Sequence, residues 1–434
     1  MAFVEGSSVH LAGIQARPEL NGQKGMLIRF LHNVGRWEVQ LDGAPQGSSL
    51  SLSPANLKLC DESPKALAED NFDDSRVDVA VGSYVRVVGI QARPELNGRC
   101  GLALHFASGK SRWQVLLEGS PYEKPLSVKP GNLEALPRQF HAQEVAGKGL
   151  GMLATSKIKK GSLILAEKPA FMMSAVEGLT AKMAGVAVEE SVLVDKVRQL
   201  APDARQAFWS LHDCKMHNGK KSARGIFETN AIATGEASSA DTLNGLCILG
   251  SRFNHGCQPN VSRVWKDNLG LEVFRAATDV SKGSELCIYY VDVRRNRRER
   301  QAQLKASFDF VCSCEVCRLE GNAQAASDKL RDALLRLDSE VVDGSQNPQD
   351  ALAKVKRVLD IIQRELAGNP WWFKRAYYDG FQWALGAGDL ELAKSMMKQA
   401  IENKVLCEGD YPDDQMVNFR KWAVNPLLKL SGSL

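Results

Sequence analysis

The chain carries an internal repeat, and this feature constrains its fold more than any other. Residues 13–22 read GIQARPELNG, and residues 89–98 read the same ten letters. The alignment continues without a gap to Arg36-Trp37 in the first copy and Arg112-Trp113 in the second. Two segments that share a turn sequence and the spacing around it are expected to fold alike, so the first third of the chain should contain one module twice.

Each copy is predicted to be a small β module. In the second copy, short strand patterns at Val85–Val87, which alternates, and at Trp113–Leu117 flank Pro94–Gly98, a turn in which asparagine and glycine tolerate positive φ. Short strands with one tryptophan per copy are typical of a small closed barrel, comparable to Tudor- or KOW-like modules. We therefore expect two small all-β barrels, residues 1–60 and 83–137, joined by an acidic linker, residues 61–82.

The composition is that of an ordinary globular protein of several domains. Of 434 residues, 44% are hydrophobic and 24% charged. The net charge of +4, from 55 basic and 51 acidic residues, argues against a generic nucleic-acid binder. The first residues lack a secretory pattern, and no stretch reaches the ~20 apolar residues of a membrane span. We expect a cytoplasmic or nuclear protein with reduced cysteines and no membrane partner.

The middle of the chain is predicted to be one β-rich domain, residues 140–320. From Gly147 onward, short strand patterns are separated by glycine turns. Residues 175–225 show no strand alternation and are predicted to form a helical insert. Strand signals return at Gly225-Ile226-Phe227 and continue to Tyr290.

The last part of the chain, residues 323–434, is predicted to be all-α. Leu330, Leu334 and Leu337 fall on one helical face, and glycine and proline separate further segments of the same kind. Helical hairpins in series are similar to a stack of tetratricopeptide repeats.

A cluster of three cysteines indicates a metal site. Cys312, Cys314 and Cys317 form C-x-C-x2-C, and such spacing in a chain without a secretory signal indicates metal binding before disulfides. Structural zinc almost always takes four ligands, so these thiolates leave one position open. Their spacing alone does not identify the fourth ligand.

Four motifs, in this order, resemble those of SET-domain protein-lysine methyltransferases. They are GKGLGMLA at 147–154, SRFNHGCQPN at 251–260, KGSELCIYY at 282–290 and CSCEVC at 312–317. Their order and the cysteine spacing are most similar to the SET-MYND group. Residues 175–245 offer too few cysteine and histidine ligands for the MYND finger, so we expect that finger to be absent. The resemblance implies a SET fold with a zinc-binding post-SET loop.

The resemblance also implies roles for single residues. Tyr290 matches the catalytic tyrosine, whose hydroxyl orients the substrate amine. Tyr289 and Phe308 would line the substrate channel, with a place in the core as the open alternative for each. Cys257 would complete a zinc site with the three clustered cysteines. The residues implied to hold S-adenosylmethionine are Lys148, Gly149, Asn230, Asn254, His255 and Phe310.

We therefore predict an S-adenosylmethionine-dependent protein-lysine N-methyltransferase with a histone or non-histone substrate. The chemistry requires a neutral amine, and a desolvated aromatic channel disfavours the lysine ammonium, whose free pKa is about 10.4. The barrels would be targeting modules that bind protein, ahead of nucleic acid. The alternative is a non-catalytic SET-fold scaffold or reader whose barrels bind protein or nucleic acid. The presence of Asn254, His255 and Tyr290 together favours the enzyme.

Overall fold

The computed structural model describes residues 8–31, 34–41, 49–59, 79–118, 125–174, 190–234, 243–344, 346–410 and 413–430. It divides into two compact units. The first is made of residues 1–71 and 169–251, and the second of residues 72–168 and 252–434. Most of the predicted acidic linker lies outside the described residues. The predicted domain boundaries stay a prediction.

The first repeat is a five-stranded antiparallel sheet in the first unit. Its strands run in the order β4-β3-β2-β1-β5 around the buried side chains of Val9, Leu27, Trp37 and Val39. The strands are β1 (Ser8–Leu11), β2 (Lys24–Leu31), β3 (Arg36–Leu41), β4 (Ser49–Leu52) and β5 (Leu57–Leu59).

The second repeat has the same strand order and lies in the second unit. Its sheet runs β10-β6-β7-β8-β9, and Trp113 lies in its core as Trp37 does in the first repeat. The strands are β6 (Tyr84–Val87), β7 (Cys100–Ala107), β8 (Arg112–Leu117), β9 (Leu126–Val128) and β10 (Leu133–Ala135).

The prediction of closed barrels was wrong. Within the described residues both sheets are open, because neither β4 with β5 nor β9 with β10 is hydrogen-bonded. The hairpin turns determine which strands are neighbours, and those turns can be recognised in the sequence. Closure also requires a consistent strand tilt and stagger, which residue alternation does not encode.

In the described residues, the rest of the first unit combines three strands with three α-helices. The sheet order is β14-β16-β15. The strands are β14 (Phe171–Ser174), β15 (Ile232–Thr234) and β16 (Leu243–Leu246), and the helices are α1 (Glu190–Arg198), α2 (Pro202–Ser210) and α3 (Ala223–Asn230). The helical insert is present over its described part.

The strand predicted at Gly225-Ile226-Phe227 was wrong, because these residues belong to α3. The Ser222 side chain accepts a hydrogen bond from the Gly225 amide at 2.9 Å, which caps the first turn of the helix. Ala223, Ile226 and Phe227 share one buried helical face. A short apolar run fits both the strand and the helix periodicity. The hydrogen-bonded cap at Ser222 favours the helix here.

Two further sheets form the β-rich part of the second unit. The first runs β11-β12-β20-β17 and the second β13-β19-β18. Their strands are β11 (Phe140–Val145), β12 (Gly149–Ala154), β13 (Leu163–Glu167), β17 (Asn254–His255), β18 (Val261–Lys266), β19 (Leu271–Ala276) and β20 (Glu285–Ile288).

The second repeat packs against the second of these sheets. Leu102 and Leu116 of the repeat form one buried cluster with Ala166, Leu271 and Val273. At the edge of this contact, the Tyr84 hydroxyl donates to the Glu118 carboxylate at 2.6 Å, and Glu118 also pairs with Arg275 of β19. The second repeat is therefore part of the same packed unit as the strands that carry the candidate site.

The end of the chain is helical, as the apolar spacing predicted. Helix α4 (Arg297–Phe308) precedes the cysteine cluster, and five α-helices follow it in the described residues. They are α5 (Gly321–Val342), α6 (Pro348–Glu365), α7 (Pro370–Gly386), α8 (Leu390–Glu408) and α9 (Asp414–Val424). In the described part of the chain, every helix falls short of the length and apolar character that a membrane crossing requires.

Candidate functional site

The parallel pairing of β17 with β20 builds the centre of the candidate site. Asn254 lies opposite Cys287, and His255 lies opposite Ile288. Tyr290 follows closely after β20, and its backbone amide donates to Nδ1 of His255 at 3.1 Å. Since Nδ1 accepts, the ring proton of neutral His255 lies on Nε2, which faces Sγ of Cys257 at 3.3 Å. Burial lowers the pKa of His255 to about 4, so the ring is neutral near pH 7.

Tyr290 lies within a cluster of aromatic rings. Its hydroxyl donates to the backbone carbonyl of Phe253 at 2.8 Å. The centroid of its ring lies 4.9 Å from that of Phe308 and 6.4 Å from that of Phe310, the latter edge-on. Burial raises the pKa of the Tyr290 phenol, which therefore stays protonated. Of the residues singled out from the sequence, the structure brings Tyr290, His255, Phe308 and Phe310 together.

Glu285 joins two of the residues implied to hold the cofactor. One of its carboxylate oxygens accepts from Nδ2 of Asn254 at 2.9 Å, and the other pairs with the Lys148 ammonium. A Cβ on Gly151 would lie 2.7 Å from Nδ2 of Asn254, so only glycine leaves room for this contact. Gly149 has φ +69°, a conformation that favours glycine. No role was predicted for Glu285, although it belongs to the KGSEL segment that carries the resemblance.

Four cysteines converge beside this cluster. The Sγ atoms of Cys257, Cys312, Cys314 and Cys317 lie within 4.8 Å of one another, and none of the four forms a disulfide. Four sulfur atoms placed ~2.3 Å from one zinc ion in a tetrahedron are separated by about 3.8 Å. The donor set and its spacing therefore fit a structural zinc ion. The structure brings Cys257 to the clustered cysteines, as the resemblance implied.

Helix α4 supplies two side chains that hold this cluster, and neither was singled out from the sequence. Nε of Arg300 donates to Sγ of Cys257 at 3.2 Å, and its Nη2 lies 3.8 Å from Sγ of Cys317. Gln301 exchanges two hydrogen bonds with the backbone of Cys312, at 2.7 and 2.8 Å. The basic run from Arg294 to Arg300 was the available signal, but its spacing does not show that one arginine faces inward.

Two of the predicted residues make other contacts. The Tyr289 ring lies 6.1 Å from that of Trp372 in α7, and it packs with the core of the C-terminal helices. Asn230 ends α3 in the first unit, where its side-chain amide donates to the carbonyls of His212 and Ile226, each at 2.7 Å. The channel role of Tyr289 and the cofactor role of Asn230 stay predictions.

Comparison with known proteins identifies the domain. Residues 149–291 match the family model described as SET domain. The chain is 28% identical over 289 residues to histone-lysine N-methyltransferase set5 of Schizosaccharomyces pombe, a match that covers 65% of this chain and 82% of that protein. It is 36% identical over 94 residues to human protein-lysine N-trimethyltransferase SMYD5, covering 20% of this chain and 22% of that protein.

Similarity to solved structures is distant. The structure of Rubisco LSMT bound to AdoMet shares 12% identity and a TM-score of 0.29, covering 69% of this chain and 94% of that chain. A score of this size supports no conclusion about the site. The SET prediction is confirmed by the family match, while the absence of a MYND finger stays a prediction. The chain therefore contains a SET domain, and the matched residues include Asn254, His255 and Tyr290.

Proposed function

We propose that this protein is an S-adenosylmethionine-dependent protein-lysine N-methyltransferase, and that it acts in the cytoplasm or nucleus. The observation that carries the proposal is the environment of Tyr290. Its hydroxyl is fixed on the Phe253 carbonyl, and the rings of Phe308, Phe310 and His255 surround it. The names of set5 and SMYD5, which include lysine methyltransferase activity, support the same reaction.

The role proposed for Tyr290 is to position the substrate amine. Because burial raises the pKa of its phenol, the group is a hydrogen-bond donor and acceptor rather than a base. S-adenosylmethionine, when bound, supplies an electrophilic methyl group on a sulfonium. Aromatic faces attract a cation, and an apolar surrounding favours the neutral form of a lysine amine. Tyr290, Phe308 and the Phe253 carbonyl would hold that amine in line for transfer.

The residues proposed to hold the cofactor include two that Glu285 holds in place. Asn254 presents its amide in an orientation fixed by the Glu285 carboxylate, and Lys148 is fixed by the same group. Gly149 leaves its backbone open to close approach, since an added Cβ there would meet no atom within 4 Å. Phe310 offers a ring face next to His255, with the two ring centroids 6.2 Å apart.

The four cysteines are proposed to bind one structural zinc ion. Cys257 belongs to the segment that follows Asn254 and His255, while Cys312 follows Phe308 and Phe310 within four residues. A single ion bound by both segments would therefore hold the aromatic side chains of the post-SET loop against the Asn-His segment. Structural zinc of this kind contributes directly to folding free energy.

The substrate is proposed to be a lysine of a histone or of another protein, and the two N-terminal repeats are proposed to be targeting modules. Trp37 and Trp113 are buried in the cores of the repeats, with 7% and 9% of their surfaces exposed. Buried tryptophans are not available to stack on nucleic-acid bases, which favours a protein ligand. The alternative function is a non-catalytic scaffold whose repeats provide the binding activity.

Transfer of labelled methyl groups from S-adenosylmethionine to a protein extract tests the proposal. The zinc-loaded wild type is expected to label lysine side chains. Tyr290→Phe should still bind the cofactor, with transfer reduced about 100-fold because the reacting groups are no longer aligned. Tyr378→Phe is the control, since Tyr378 stacks on Phe419 in the helical region and a phenyl ring preserves that contact.

Calorimetric titration with S-adenosylmethionine separates the two functions. The scaffold is supported, and the enzyme excluded, if the zinc-loaded protein does not bind the cofactor. Undiminished transfer by Tyr290→Phe would instead remove Tyr290 from the mechanism while leaving the enzyme in place.

A further inference from the structure

Arg300 is a fully buried cation in contact with two of the four clustered cysteines. It lies on α4 one helical turn before Leu304, and both side chains face inward with none of their surface exposed. Its guanidinium donates through Nε to Cys257 and lies within reach of Cys317 through Nη2. Its third nitrogen donates to the backbone carbonyl of Arg295.

The partners of Arg300 differ from those of two other buried cations, Arg331 and Lys266. Arg331 pairs with Glu365 at 3.1 Å, and Lys266 pairs with Glu408 at 2.7 Å. Among the described residues, no carboxylate forms an ion pair with Arg300. Burying a guanidinium without a counter-charge is energetically unfavourable. The sulfur atoms of Cys257 and Cys317 are the groups placed to provide that charge.

A buried metal site made of four thiolates by itself lacks a compensating positive charge. Zinc with four thiolate ligands carries net negative charge, which is costly to bury. A cation that donates hydrogen bonds to the ligand atoms reduces this cost and orients the ligands. Cys257 receives a second donor, Nε2 of His255 at 3.3 Å, so its sulfur is held from two sides.

We propose that Arg300 is the positioning residue of this zinc site: its guanidinium compensates the charge of the bound tetrathiolate and holds Cys257 and Cys317 in ligating orientation. The proposal rests on the zinc site proposed above. It explains why a charged side chain is directed into an apolar cluster that also contains Leu304, Val316 and Phe310. A role in helix packing alone would be served better by an apolar residue of similar length.

Release of zinc to an excess of a chromophoric chelator tests the role. Arg300→Met is expected to release zinc about 10 to 100 times faster than the wild type. Arg300→Lys should be intermediate, because an ammonium keeps the charge and loses the planar, two-donor geometry. Arg298→Met is the matched control, an exposed arginine on the same helix, and should release zinc at the wild-type rate.

Thermal unfolding with and without zinc separates positioning from packing. If Arg300 acts toward the metal, zinc should raise the Tm of Arg300→Met less than that of the wild type. The inference is overturned by a wild-type release rate in Arg300→Met, or by a Tm lowered equally with and without zinc. If Arg300→Met does not fold, Arg300→Lys decides, and release at the wild-type rate overturns the inference. A purified wild type that contains no zinc and does not bind zinc when it is added would overturn the zinc site itself.

Discussion

At the scale of single residues, Glu285 and Glu272 show that the same type of side chain behaves differently in different surroundings. Glu285 is partly buried and shares its two oxygens between Asn254 and Lys148. Glu272 has none of its surface exposed, and Arg263 contacts one of its oxygens at 3.2 Å while its other oxygen has no hydrogen-bond partner among the described residues. Glu285 therefore orients its neighbours, whereas the ionised form of Glu272 is destabilised by its surroundings.

Replacing Glu285 by glutamine should weaken cofactor binding. Glutamine can still accept from Asn254, but it loses the charge that holds Lys148. Since hydrogen bonds to charged groups contribute about 1.5–3 kcal/mol, we expect the Kd for S-adenosylmethionine to rise about 10-fold or more in calorimetric titration. Glu134→Gln, which breaks an exposed pair with Arg86, is the control. An unchanged Kd in Glu285→Gln would exclude a role of Glu285 in the cofactor site.

Glu272 should make the stability of the protein depend on pH. Burial raises its pKa from 4.5 to about 7 despite the nearby Arg263 guanidinium. Protonated Glu272 therefore stabilises the folded state fully below pH 4.5, and this contribution is lost as the pH rises through about 7.

Glu272→Gln should remove that dependence. We expect its free energy of unfolding, from urea titrations, to equal that of the wild type near pH 4.5 and to exceed it by about 1–3 kcal/mol at pH 8. Parallel curves for the two proteins across this range would show that Glu272 does not titrate as described.

At the scale of structural elements, the two repeats share a strand order and differ in the face that packs. Leu116 of β8 is buried against Ala166, Leu271 and Val273, whereas the aligned residue of the first repeat is Gln40, which is half-buried. The second repeat thus uses an apolar face that the first repeat lacks at this position.

Leu116→Gln should therefore weaken the packing of the second repeat against the β13-β19-β18 sheet. Placing an amide in this apolar cluster should lower the free energy of unfolding by about 2–4 kcal/mol, measured by urea denaturation. The reverse change, Gln40→Leu, should alter it by less than about 0.5 kcal/mol, because Gln40 is only half-buried. Equal effects in the two repeats would contradict the different packing of their faces.

The sequence predicted local features of these elements better than it predicted their assembly. The repeat, its turns and the helical tail were recognisable from residue patterns, whereas the open edges of the sheets depend on strand tilt. Helix α3 was mistaken for a strand because three apolar residues do not distinguish the two periods.

For the site, the resemblance supplied Tyr290, Asn254 and the cysteines, whose motifs are contiguous in the chain. It did not supply Glu285 or Arg300. Their roles arise from contacts between segments far apart in sequence, such as the contact of Arg300 with Cys257, and residue patterns do not encode such contacts.

At the scale of the whole molecule, buried ion pairs join the C-terminal helices to the SET sheet. Glu408 at the end of α8 is 4% exposed and accepts from Lys266 of β18, Lys374 of α7 and Lys404 of α8. Burial alone would raise the pKa of Glu408, but the three ammonium groups hold it far below its ordinary value. The carboxylate is therefore charged at any pH near neutral.

Glu408→Gln should loosen this junction. Glu408→Gln removes the carboxylate partner of Lys374 and leaves Lys266 and Lys404 paired with Asp413 alone. Removing one partner of a buried ion pair costs about 3–5 kcal/mol of unfolding free energy, which urea titrations would measure. Glu391→Gln, which breaks an exposed pair with Lys394 in the same helix, should cost less than about 0.5 kcal/mol. A change below 1 kcal/mol in Glu408→Gln would show that the network does not hold the helices to the sheet.

The most direct test of the account is the affinity for S-adenosylmethionine before and after zinc removal. If one ion holds the post-SET aromatic residues against the Asn254-His255 segment, chelation should weaken binding at least about 10-fold, and added zinc should restore it. Circular dichroism would verify that the metal-free protein keeps its secondary structure. Equal affinity with and without zinc, in a protein that remains folded, would contradict the account.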